Sequence, residues 1–213
     1  MEFTLDSGNT AWMITATALV LLMTPALAFF YGGMVRTKSV LNMMMMSFVS
    51  LGTVAVIWVV YAYGLAFGPG DAVGSPRAFF GLNGVADSNS LAASFGVPFL
   101  VMVAFEAVFA IITVALISGS IADRMKFGTW VVFTVVWIST VYALVAHNVW
   151  GSGTLITSIA PSQPIDFAGG TVVHINAGAA ALALAIPVGT VRSRLHYALD
   201  ALRSQMAKEG RPR

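Results

Sequence analysis

Apolar residues run along this chain in blocks too long for one face of a soluble helix. Five blocks stand out: Trp12–Tyr31, Leu41–Phe67, Val97–Ala122, Phe127–Trp150 and Ala168–Pro187. Each reaches the roughly 20 residues that a helix needs to cross a bilayer. The polar breaks between them are unequal. The breaks after blocks one and three are short and basic. The break after block two, residues 68–96, is long and rich in Gly, Ser, Asn and Pro, which predicts turns and short helical pieces. Pro25 falls inside the first block, a position that membrane helices tolerate because neighbours re-satisfy the freed backbone groups. The pattern predicts an all-α membrane protein of five transmembrane helices.

Composition sharpens this. Of the 213 residues, 58% are hydrophobic and only 9% are charged. A soluble domain carries about 25% charged residues. There is no cysteine, so disulfide and thiol chemistry are excluded. No clustered basic face on a soluble fold suggests nucleic acid. The leader carries Glu2 and Asp6 and no Lys or Arg, the reverse of the basic start of a cleaved signal peptide.

The placement of charge predicts orientation. Ten of the eleven Lys and Arg residues follow blocks one, three and five, and Arg77 is alone on the other side. Lys and Arg gather on the cytoplasmic side. The expectation is therefore an inner or plasma membrane protein with its N-terminus outside and its C-terminus inside. Residues 1–189 form the membrane domain, and 190–213 a basic cytoplasmic tail. In that tail Leu195, Leu199, Leu202 and Met206 recur at helical spacing. Either an amphipathic helix on anionic lipid or a solvated tail fits.

Ionisable residues inside membrane helices are costly and mark function. Here they are Glu106 and His174, with His147 and Asp166 nearer the outer ends. Counting about 1.5 Å per residue from Val97 places Phe105 and Phe109 roughly 12 and 18 Å deep, on one face. The same rise from Asp166 places His174 roughly 12 Å deep. Trp150 sits above them at the end of block four. Each residue has a plainer reading. Trp150 fits an interfacial aromatic belt. Phe105 and Phe109 fit lipid contact or packing. Asp166 fits an N-cap for the last helix. His174 is harder to dismiss, because a buried imidazole needs partners for both ring nitrogens, and Asn176, two residues on, faces another side. Together, rings that attract a cation and a buried neutral imidazole suit a small cation that loses its charge on the way in.

The segments "FFYGGMVRTKSVLNMMMMSF", "FEAVFAIITVALISGSIADRMKF", "AHNVWG" and "DFAGGTVVHINAG" resemble the N-terminal half of the ammonium transporter (Amt/Mep/Rh) family, in its bacterial form, from about Trp12 to Gly189. The resemblance implies one five-span inverted repeat of an eleven-span fold, assembled as a homotrimer. It implies transport of ammonium or ammonia, with methylammonium as analogue and no cofactor. Phe105 and Trp150 match the outer site that recruits ammonium, and Phe109 one ring of the gate. His174 matches the first of two pore histidines, and Asp166 the carboxylate that shapes the outer vestibule. A PII-type regulator is implied by analogy.

Departures from the family pattern define the alternatives. The second gate ring, the second pore histidine and the recruitment serine belong to later spans. Glu106 stands where the family usually has glutamine. Buried, it should be largely protonated; wetted, it should draw cations, which makes it a possible modulator. After "AIPVGT" the sequence does not look like the usual link onward: a genuine tail, a chain boundary, or translation past a frameshift would each explain it. The rival to a transporter is a non-conducting remnant or a partner or sensor subunit. An intramembrane hydrolase lacks an H-E-x-x-H pair or a nucleophile–base motif.

Overall fold

The computed structural model of the protein describes residues 4–85, 96–159, 162 and 164–184. All regular structure among them is helical. Four helices are long and apolar enough to cross a membrane: α1 (Ser7–Met34), α2 (Thr37–Phe67), α3 (Phe99–Ile121) and α4 (Phe127–Val149). A short helix, α5 (Leu155–Ile159), follows, and then an apolar helix, α6 (Gly170–Ala183). The fifth predicted span thus appears, over the described residues, as a helix shorter than a bilayer crossing. The end of that prediction, residues 185–187, and the whole 190–213 tail lie outside the described residues.

The helices begin where local chemistry dictates. Asp6 caps α1, its carboxylate accepting from the Asn9 N–H at 2.9 Å. Helix α1 runs through Pro25 without interruption. Its Thr10, Thr15 and Thr17 hydroxyls, like those of Thr134, Ser139 and Thr140 in α4, fold back onto carbonyls four residues earlier, Thr17 to Met13 at 2.7 Å. That internal pairing lets a polar side chain sit in an apolar helix.

Helix α3 is the centre of the bundle. Helices α1, α2, α4 and α6 all pack on it. Of its eleven buried residues, Val103, Glu106, Ala110, Thr113, Val114 and Ile117 form one stripe at three- and four-residue spacing, and the rest cover its other sides. Indole N–H groups tie the helices across this centre. Trp58 donates to the Val103 carbonyl at 3.1 Å, and Trp130 to the Met46 carbonyl at 2.8 Å. Both rings are buried, so each N–H needs such a partner.

Helices α2 and α4 each contain a π-helical turn at the same height, Trp58–Ala62 and Ile138–Tyr142. In each, an N–H reaches five residues back: Tyr63 to Trp58 and Ala143 to Ile138. The turns face one another. The Tyr61 hydroxyl meets the Ser139 hydroxyl at 2.8 Å, and the Trp58 and Tyr142 ring centroids are 6.2 Å apart.

The connection after α2 is built from turns and one 3₁₀ turn, Phe80–Leu82, as far as residue 85, which is what its composition predicts. It is stitched to the end of α4. His147 is fully buried, with Nδ1 3.0 Å from the Ala66 carbonyl and Nε2 3.0 Å from the Gly70 carbonyl. The Asn148 amide donates to the Ala72 carbonyl at 2.8 Å, and its oxygen accepts from the Leu155 N–H at 2.9 Å. Gly74 has no side chain because a Cβ there would collide with the Gly64 carbonyl oxygen.

Candidate functional site

Asp166 organises the start of α6. One carboxylate oxygen accepts from the N–H groups of Gly169 (2.7 Å) and Gly170 (2.9 Å). The other accepts from Thr171 (2.8 Å) and Val172 (2.9 Å). A helix N-terminus leaves four N–H groups without helical partners, and here a single side chain takes up four successive amides. Burial pushes the Asp166 carboxyl upward, but the four N–H bonds to its charged form outweigh that and hold it below its ordinary value. The turn closes through Gly169, whose φ of 88° is left-handed. A Cβ there would lie 2.5 Å from Val173 Cγ2, so glycine is required twice over.

From this turn α6 starts as a π-helix, Gly170–Ile175. The Gly169 carbonyl receives three donors: the Val173 N–H at 3.0 Å, the His174 N–H at 2.9 Å and His174 Nδ1 at 3.1 Å. A carbonyl only accepts, so the last bond puts a proton on Nδ1 and leaves Nε2 of the neutral ring as a free acceptor. Asn176 is not its partner, in line with the two-residue spacing. The expectation of a buried imidazole is corrected. His174 is exposed, on one side of α6 with Ile175 (64% exposed) and Leu182 (77% exposed). The opposite side, Val172, Val173 and Ala177, is buried against the bundle. The π turn and left-handed entry set which side faces inward, and neither shows in residue counting.

The aromatic residues singled out from the sequence come together. Phe105 and Phe109 meet edge to face with centroids 5.0 Å apart, and Phe109 meets Trp150 at 5.6 Å. The Trp150 indole N–H donates to the Asp166 carbonyl at 3.0 Å. A Cβ on Gly169 would come within 3.7 Å of Phe109 Cδ1. Phe105, Phe109, Trp150 and the Asp166–His174 turn therefore form one continuous strip. Its chemistry is π faces leading to an imidazole lone pair, which suits attraction of a small cation followed by acceptance of a hydrogen bond.

Glu106 is not part of that strip. It is one residue from Phe105 and turns inward, 7% exposed, onto the buried stripe of α3. Of the two readings open from sequence, the buried one holds in this chain. His147, noted as ionisable, is occupied by the connection after α2. Among the described residues no three His, Cys, Asp or Glu side chains come together to hold a metal ion. Sequence reasoning gave no role to Gly169, whose left-handed conformation sits in the run Asp166–Gly170.

The helices and this strip define a polytopic membrane protein with an aromatic-to-imidazole track. Comparison gives its family. The model of the Ammonium Transporter Family matches residues 11–206, and the chain belongs to that family. It is 50% identical over 210 residues to the ammonium transporter of Mycobacterium tuberculosis, covering 88% of this chain and 43% of that protein. It is 46% identical to that of Aquifex aeolicus, covering 88% and 44%. The crystal structure of Candida albicans Mep2 matches with a TM-score of 0.73 at 30% identity, over 84% of this chain and 39% of that one. A structure described as a sensor Amt protein shares the fold, with a TM-score of 0.68 at 23% identity over 82% and 42%. The chain spans less than half the length of the curated relatives it matches.

Proposed function

We propose that this chain supplies one wall of a path for ammonium and ammonia across the membrane. The observation that carries this is the continuous strip from Phe105 through Phe109 and Trp150 to the His174 turn. Phe105 and Trp150 attract ammonium by their ring faces. Phe109, below them, is the gate ring. Before this ring ammonium gives its proton to water on the outer side, since the apolar passage beyond favours the neutral form. Ammonia then passes His174. The His174 bond to a carbonyl already holding two other donors is readily given up, which frees the ring to serve a substrate. Asp166 acts indirectly, by fixing the turn that aims His174.

The path is completed by a second repeat, in a homotrimer open to a PII-type regulator, and is oriented with the N-terminus outside. The names of the relatives support the substrate. Orientation rests on the Lys and Arg bias. A cysteine at Ala78 should react with an impermeant reagent in intact cells, and one at Thr37 should not.

The test of function is growth of an ammonium-transport-deficient strain on low ammonium at acid pH, where little free ammonia diffuses in. The 213-residue chain should not rescue growth alone. The chain joined after Gly189 to the second repeat of a related transporter should rescue it, and His174→Ala in that chimera should weaken or abolish methylammonium uptake. Rescue by the chain alone would remove the need for a second repeat. Failure of the chimera, inserted and trimeric, would favour the other reading: a non-conducting partner or sensor subunit.

A further inference from the structure

The end of α2 and the connection after it turn backbone carbonyls toward the last turn of α4. An α-helix ends with four carbonyls that no helical N–H can reach. In α2 the Gly64 carbonyl accepts from the Gly68 N–H at 2.8 Å, and the Leu65 carbonyl from the Gly74 N–H at 2.9 Å. The Ala66 carbonyl meets His147 Nδ1 at 3.0 Å. The Gly70 carbonyl, from the connection, meets His147 Nε2 at 3.0 Å. The ring between them is fully buried. A Cβ on Gly151 would lie 2.7 Å from the Ala66 carbonyl oxygen and 2.8 Å from that of His147, so the ends of α2 and α4 meet beside this ring.

Two acceptors at one imidazole raise a question of proton count. The neutral ring has a single N–H, so it donates to one carbonyl and turns a lone pair toward the other. The imidazolium has two N–H groups and serves both. His147 lies in the last turn of α4, and Ala66 in the last turn of α2. Helix C-termini carry partial negative charge, which favours a cation there. Burial opposes the charge.

The other titratable and charged groups around the end of α4 are engaged elsewhere. Tyr63 of α2 stacks on Phe67 at 5.2 Å, and Tyr142 of the π turn lies against Trp58 and Trp137. On the α6 side, Asp166 commits its carboxylate to four amides and His174 bonds the Gly169 carbonyl. Glu106 is buried on α3, and Asp71 and Arg77 of the connection are exposed. Both His147 nitrogens already face carbonyls, so the number of protons on the ring decides how many bonds it makes.

We propose that His147 is an acid-tightened latch on the connection after α2. With one proton it fastens one of the two carbonyls; with two it fastens both, holding Ala66 and Gly70 together onto the end of α4. Trp150 follows on the same turn, its N–H on the Ala146 carbonyl at 2.9 Å. The latch therefore also positions that indole, and only this consequence rests on the transport reading.

The experiment uses the whole chain in lipid nanodiscs with isotopically labelled histidine. The chain has three, His147, His174 and His196. The His147 signals are those lost in His147→Gln and kept in His174→Gln and His196→Gln. Titration by nuclear magnetic resonance runs from about pH 8 to about pH 5, the range in which histidine changes charge. The His147 ring should pass from one protonated nitrogen to two. In parallel, a spin label is placed at Ala78→Cys, in a chain with no cysteine of its own. Its spectrum should shift toward the immobilised form as pH falls, with the same midpoint as the ring. His147→Gln should erase that shift, because an amide donates without titrating. A ring that keeps one proton throughout, or two throughout, overturns the proposal. So does a label that ignores pH, titrates with a different midpoint, or shifts equally in His147→Gln. If His147→Gln fails to fold, the other two variants identify the ring by elimination, and the shared midpoint carries the test. Neither readout involves transport, so failure of uptake in the completed chimera would count against the transport reading alone.

Discussion

Two histidines of this chain bond backbone carbonyls, and their surroundings separate a fastener from an available group. His147 is sealed, with a carbonyl oxygen at each ring nitrogen, Ala66 from the last turn of α2 and Gly70 from the connection after it, 81 and 77 residues away in sequence. His174 is exposed, with a single carbonyl five residues back that already serves two other donors. The first ring closes a long loop onto the bundle. The second is held loosely by its own turn, with one nitrogen free. An ionisable residue near a membrane helix end is therefore not a functional residue by its position alone. The number and origin of its partners decide.

Substitutions should pull these two regions apart, and the largest effect on stability belongs to the sealed one. His147→Ala removes the one ring N–H that serves the Ala66 or the Gly70 carbonyl and opens a hole in a fully buried position. At about 1–3 kcal/mol per stranded group plus the cavity, it should cost about 3 kcal/mol or more. Thermal unfolding in detergent should show it, with faster proteolysis of the 68–85 connection.

Asp166→Ala removes the acceptor of four amides and should cost about 2 kcal/mol, at the upper end of cap losses. Since the folded Asp166 carboxyl titrates below its ordinary range, its contribution is complete above that range. It is lost as pH falls through the depressed value. Acid unfolding should therefore begin at higher pH in variants lacking other support for α6, and Asp166→Asn should flatten this part of the profile. An unchanged acid limb in Asp166→Asn would show that the four bonds contribute nothing.

Trp150→Phe keeps the ring against Phe109 but loses the N–H bond to the Asp166 carbonyl, for about 1 kcal/mol. Smallest of all, His174→Ala should change stability by no more than about 0.5 kcal/mol, as for an exposed substitution. In the completed chimera the order should invert, with His174→Ala the most damaging to methylammonium uptake per unit of stability lost. If His174→Ala destabilises as much as His147→Ala, the distinction between the two rings fails.

The extent of each long helix was readable because a bilayer crossing leaves a coarse mark. The block Leu41–Phe67 lies within the observed Thr37–Phe67, and Phe127–Trp150 ends one residue past Val149. The meeting of Phe105, Phe109 and Trp150 and the capping by Asp166 were also readable, because they depend on depth and on local spacing. The exposure of His174 and the inward turn of Glu106 were not. Both depend on rotation about a helix axis, and helices apolar on nearly every side give no amphipathic phase to read it from. The π turns were hidden for the same reason. The lock of His147 onto Gly70 was hidden because nothing local encodes a contact across 77 residues.

Those π turns have a consequence for how this chain tolerates changes in length. Each holds one residue more than an α-helix would, and an α-helix turns about 100° per residue. Deleting one residue from Trp58–Ala62 would remove that extra residue and let an α-helix run on into Tyr63–Phe67 with its facing kept, so the carbonyl of Ala66 would still meet His147. Deleting one from Ile138–Tyr142 would likewise leave His147 and Asn148 facing the connection. A deletion in the straight α-helical runs before either turn would instead rotate the adjoining side chains by about 100°, so single-codon deletions should be less harmful in these two turns than in those runs.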